Sequence, residues 1–80
     1  MAKTMQITVS RVDNAVFDGD ALSVTVPGAE GEMTILPEHS ALITPLRAGV
    51  VTVRTSAGDE TVQIERGICE VSKNQVTVLL

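Results

Sequence analysis

Apolar and polar residues alternate along most of this chain. Met5, Ile7 and Val9 are interleaved with Gln6, Thr8 and Ser10, the period-2 pattern of a strand with one buried face. A strand is predicted from Met5 to Arg11. Asp13-Asn14 is turn chemistry, Ala15-Val16-Phe17 predicts a short strand, and Asp18-Gly19-Asp20 predicts a second turn, because Asp and Gly accept the backbone angles a turn needs. Leu22, Val24 and Val26 alternate with Ala21, Ser23 and Thr25 as a third strand. Pro27-Gly28 is expected to end it, since proline cannot donate to a ladder.

A loop is expected from Gly28 onward, followed by a strand at Met33-Thr34-Ile35-Leu36, an extended stretch from Ser40 to Pro45, and a corner at Pro45 to Gly49. The clearest hairpin joins Val50 to Thr55 with Glu60 to Glu65 through Ser56-Ala57-Gly58-Asp59, with Val51 and Val53 facing the same way as Val62 and Ile64. Arg66-Gly67 interrupts the ladder, Ile68 to Val71 resumes it, Ser72 to Gln75 turns, and Val76 to Leu80 closes the sheet. No segment keeps a 3.6-residue period over ten residues. So many short strands cannot bury their apolar faces as one flat sheet. The prediction is an all-β domain spanning residues 1–80: a small β-sandwich or flattened barrel of about eight to ten short, mainly antiparallel strands.

Composition sharpens this. Val, Ile and Thr supply 26 of the 80 residues, and these β-branched side chains pack well on a pleated surface. Phe17 is the only aromatic residue, so the core is aliphatic. The net charge is −4, and the six cations, Lys3, Arg11, Arg47, Arg54, Arg66 and Lys73, are scattered. Without a cationic stripe or an aromatic platform, nucleic-acid binding is not expected. Cys69 is the single cysteine. A secreted domain this small would ordinarily carry several disulfides, so a reducing compartment is expected. The N-terminus has no apolar signal region and no apolar run approaches the roughly 18 residues of a spanning helix. Membrane association is expected only through a partner.

The residues that carry chemistry elsewhere are sparse here. Asp13, Asp18 and Asp20 gather on the two early turns, but their spacing does not match a calcium loop with its closing Glu, and a solvated sheet end is the expectation. His39 and Ser40 are adjacent, so on an extended chain they point to opposite faces, and no Gly-x-Ser-x-Gly loop accompanies them. One His and one Cys thirty residues apart do not make a metal site. Cys69 reads as a buried small hydrophobe. Lys73 lacks the flanking methionines of a biotinylated hairpin. No catalytic residue, metal or cofactor is expected. Glu30-Gly31-Glu32-Met33 sets two carboxylates and a methionine beside a flexible glycine, which suits either a solvated loop or a docking element.

Gly28-x-x-Gly31-x-x-x-Ile35-Leu36-Pro37-x-His39-x-x-Leu42-x-x-x-Leu46-x-x-Gly49 resembles the signature of the ATP synthase epsilon subunit, the bacterial equivalent of mitochondrial delta. Val16-Phe17-Asp18-Gly19, Gly67-Ile68-Cys69-Glu70-Val71 and Asn74-Gln75-Val76-Thr77-Val78-Leu79 are similar to further segments of that family in the same order. The resemblance implies a non-catalytic central-stalk rotor subunit of the F-type ATP synthase, a β-sandwich that binds the gamma subunit and rests on the membrane c-ring. It would couple ion-driven rotation to ATP synthesis from the cytoplasmic face of the bacterial inner membrane, or from the matrix or stroma face in an organelle. It also implies that Glu30, Gly31, Glu32, Met33 and His39 lie at the c-ring and gamma interface. Three positions depart from the family pattern: Glu38 stands where glycine is usual, Ser40-Ala41 replaces Ala-Pro, and Thr34 replaces a common glycine. The two-helix hairpin that usually follows has no counterpart in residues 1–80, so neither its inhibitory role nor its ATP binding is carried over. A stand-alone β-sandwich adaptor would share the composition but not the ordered matches. A cupin-like metalloenzyme would need several ligands around one cavity.

Overall fold

The computed structural model describes residues 3–11, 13–38 and 40–80. Its nine strands are β1 (Met5–Ser10), β2 (Ala15–Ala21), β3 (Ser23–Gly28), β4 (Gly31–Ile35), β5 (Leu42–Leu46), β6 (Gly49–Thr55), β7 (Gly58–Ile64), β8 (Gly67–Ser72) and β9 (Gln75–Leu79). No helix occurs among the described residues. Five strands pair in the order β2-β1-β9-β8-β5, and β3 carries β4 on one side and β6, then β7, on the other. A single bridge, Gly28 to Leu46, joins these two groups where β5 passes the end of β3. Every pairing is antiparallel except β1 with β9. The result is the predicted all-β sandwich, folded from one continuous sheet.

The core follows from strand parity. Met5, Ile7 and Val9 of β1 turn inward with Val76 and Val78 of β9 and Cys69 and Val71 of β8. Val24, Val26, Ile35, Val51, Val53 and Ile64 face them from the second group of strands. No polar or charged residue is buried among the described residues, so stability rests on aliphatic packing.

The β6–β7 hairpin has the predicted facing, with Val51 opposite Val62. Its loop is tighter than expected, however: Thr55 pairs with Gly58, leaving only Ser56-Ala57 between the strands. Gly58 has φ 131°, which favours glycine. Three other expectations are corrected. Asp18-Gly19-Asp20 does not turn, because it lies inside edge strand β2, paired with Thr8, Ile7 and Gln6. The ladder overrides local turn preference, and the exposed edge keeps both carboxylates solvated. Asp18 Oδ1 accepts from Gln6 Nε2 at 2.8 Å. Pro27-Gly28 likewise sits within β3, since Pro27 has no N–H to give but its carbonyl accepts the Arg47 N–H at 3.0 Å. Finally, Pro45 belongs to β5, so the corner shrinks to Arg47-Ala48. Gly49 is required there, because a Cβ would lie 2.8 Å from Pro27 Cβ.

Candidate functional site

The stretch expected to be a loop from Gly28 to Met33 is a tight hairpin. Gly28 pairs with Gly31 and Pro27 with Glu32, so only Ala29-Glu30 forms the turn. Gly31 has φ 144°, an angle that side chains disfavour, which places glycine at the exit of the turn. Glu30 and Glu32 are exposed while Met33 is half-buried against the core. The hairpin tip is fastened to β5: Ala29 N–H donates to the Pro45 carbonyl at 3.0 Å. Tip and strand enclose a surface groove of about 510 Å³ lined by Glu30, Gly31, Glu32 and Met33 on one side and Leu42, Thr44 and Pro45 on the other. Four of the five site residues proposed from sequence therefore share one groove with an acidic rim and an apolar floor. The fifth, His39, lies outside the described residues, and so does any pairing of His39 with Ser40.

Pro45 also belongs to a second surface, one the sequence reading missed. On the outer face of the β5-β8-β9 sheet, Pro45 pairs with Ile68 and Ile68 with Leu79, and Ile43 lies two residues from Pro45 on the same face. Ile43, Ile68 and Leu79 are 68%, 49% and 54% exposed, so the row is uncovered. The available signal was β5 itself, Leu42-Ile43-Thr44-Pro45-Leu46, which is apolar on both faces and departs from in–out alternation.

A third feature surrounds Glu38. Its backbone has φ 67°, its N–H donates to Asn74 Oδ1 at 2.8 Å, and its carboxylate pairs with Lys3. Asn74 in turn donates from Nδ2 to the Thr4 carbonyl at 2.8 Å, while its own carbonyl accepts the Gln6 N–H at 3.1 Å. Cys69 is fully buried, and desolvation pushes its thiol up to about 11, which disfavours the nucleophilic thiolate. Among the described residues, no three His, Cys, Asp or Glu side chains are grouped to hold a metal ion.

Comparison with known proteins agrees with this geometry. The family described as "ATP synthase, Delta/Epsilon chain, beta-sandwich domain" matches residues 4–80. The chain belongs to this family. The ATP synthase epsilon chain of Bordetella petrii is 44% identical over 77 residues, covering 95% of this chain and 55% of the relative. That of a Janthinobacterium species is 43% identical over 81 residues, covering 99% and 58%. The chain thus spans a little over half the length of the curated relatives it matches. Among solved structures, a chain of the Euglena gracilis mitochondrial ATP synthase OSCP/F1/c-ring assembly superposes with a TM-score of 0.88 at 23% identity, covering 95% of this chain and 49% of that one. A chain of the Tetrahymena thermophila mitochondrial ATP synthase central stalk and c-ring gives 0.77 at 20% identity, covering 96% and 63%. These two likenesses establish the shared sandwich fold.

Proposed function

We propose that this epsilon-family sandwich is a non-catalytic rotor subunit of the F-type ATP synthase, joining the gamma subunit to the c-ring at the membrane surface. The observation that carries this reading is the meeting of two unlike surfaces at Pro45. One is the uncovered apolar row of Ile43, Pro45, Ile68 and Leu79, and the other is the acidic groove rimmed by Glu30 and Glu32. A rotor joint holds two partners at once on a block that does not deform. The apolar row suits a permanent protein neighbour, here gamma, because burying it removes area from water. The Glu30-Glu32 rim suits polar or basic loops of the ring, and the hydrogen bonds to β5 hold the tip in register. Ion-driven rotation would pass through this block as through a rigid coupling, with no chemistry in the chain itself. Membrane association is peripheral and runs through the partners.

Surface-directed substitutions test the two roles separately. Ile43→Asp with Ile68→Asp is expected to lower gamma affinity by roughly a hundredfold, since two apolar contacts of this size contribute about 3 kcal/mol together. Glu32→Lys with His39→Ala is expected to leave gamma binding intact and weaken retention of the gamma-bound chain on the c-ring. Normal ring retention by the folded Glu32→Lys, His39→Ala chain would remove the groove from the interface.

A further inference from the structure

The outer face of β5 and β8 continues past the ends of both strands. Ile43 pairs with Glu70 and Pro45 with Ile68. Exposure keeps its alternation beyond them, so Ile43, Pro45 and Arg47 are exposed on one chain segment and Arg66, Ile68 and Glu70 on the other, while Leu46 and Cys69 are buried. The pairing stops at Leu46 with Gly67 and resumes at Gly49 with Ile64 in the same register, which sets Arg47 opposite Arg66 in the gap. The apolar row thus has two arginines along its edge nearest the Glu30 tip, and a carboxylate, Glu70, on the side away from it.

Like charges facing one another across two strands destabilise a sheet, and the fold offsets neither of these. Among the described residues neither guanidinium pairs with a carboxylate, whereas Lys3 pairs with Glu38 and Arg54 with Asp59. Even Glu65, which lines one cavity with Arg66 and Arg11, pairs with neither of them. Two arginines without a counter-charge beside an uncovered apolar row make a surface whose complement is apolar along its middle and acidic along one flank.

We infer that the gamma segment covering the apolar row carries carboxylate side chains along one flank, and that these dock on Arg47 and Arg66. Guanidinium groups suit this task because each takes a carboxylate through two parallel hydrogen bonds. Glu70 repels the same segment laid on the row in the reverse direction, so charge fixes the orientation while burial of the row holds the complex. The inference rests on gamma being the occupant of the row, and its test separates the two.

Affinity for purified gamma, without lipid, is measured at about 0.05 M and about 0.5 M salt, the higher of which screens exposed charges. Far-UV circular dichroism checks that each variant is folded. Wild-type affinity falls by roughly tenfold at the higher salt. Arg47→Gln with Arg66→Gln binds roughly tenfold more weakly at low salt and loses that salt dependence. Arg47→Glu with Arg66→Glu binds at least roughly a hundredfold more weakly there, because like charges now meet. Ile43→Ala with Ile68→Ala also weakens binding but keeps the salt dependence, and Arg54→Gln changes neither. Wild-type affinity that is indifferent to salt, or a folded double-glutamine chain that binds gamma as the wild type does, overturns the acidic docking and leaves gamma on the row. If that double-glutamine chain keeps gamma but is lost from phosphatidylglycerol vesicles that retain the wild type, the arginines belong to the membrane surface and the inference fails. A wild-type chain that binds no gamma at either salt overturns the rotor reading and this inference with it.

Discussion

Replacing Glu38 by glycine and, in parallel, by alanine separates backbone strain from side-chain chemistry at this residue. Glu38 has φ 67°, and an L-residue in that region costs roughly 1–2 kcal/mol relative to the right-handed basin. Both substitutions delete the ion pair to Lys3, so that contribution cancels between them. It is small in any case, since the two side chains are 75% and 56% exposed and such pairs contribute about 0–1 kcal/mol. Alanine keeps the strain. Glycine relieves it but gives back roughly 0.5–1 kcal/mol because the unfolded chain gains freedom. The glycine variant should therefore be about 1 kcal/mol more stable than the alanine variant, or about 4–8 °C higher in thermal midpoint for a domain of this size. Urea titration followed by far-UV circular dichroism reads this directly, because the chain has no Trp or Tyr. Equal stability of the two variants, or a more stable alanine variant, would refute the left-handed assignment at residue 38.

Three further outcomes follow from the packing. Ile35→Ala, at a fully buried site, should cost about 2–5 kcal/mol, a large share of the stability of so small a domain, and should lower the urea midpoint accordingly. Gly49→Ala places a methyl 2.8 Å from Pro27 Cβ and should destabilise by about 1–3 kcal/mol through overpacking, read in the same titration. The Cys69 thiol, raised by burial from 9.0 to about 11, keeps its proton in the folded chain while the unfolded chain begins to lose it. Stability should therefore be complete below pH 9 and decline between pH 9 and pH 11, by up to about 3 kcal/mol. Cys69→Ala should abolish that decline, and a thiol reagent at pH 7 should label the wild type only after unfolding.

The parts of the fold legible in the sequence were those where local chemistry and long-range pairing agree. The β6–β7 strands combine strict alternation with a glycine-bearing loop, and their facing was read correctly. Where the two conflict, pairing prevailed. Asp18-Gly19-Asp20 and Pro27-Gly28 carry turn and stop signals, yet both lie in strands because a neighbouring ladder holds them. Glu30 to Met33 read as a flexible loop in the sequence, and the tightness of their hairpin was not legible, since it depends on Gly28 pairing with Gly31. The outer apolar row needed the registers of three strands before Pro45, Ile68 and Leu79 could be seen as neighbours. The contacts of the Asn74 side chain were hidden for the same reason: its partners Glu38 and Thr4 are 36 and 70 residues away in sequence. Turn chemistry marked Lys73-Asn74 as a bend, but nothing local shows what the asparagine side chain reaches.

Titrating the chain against purified gamma and against gamma bound to a c-ring, scored by co-elution, tests whether this sandwich couples gamma to the c-ring. A stoichiometric complex with gamma is expected, with tighter retention of gamma on the ring when the chain is present. A folded chain that co-elutes with neither would contradict it.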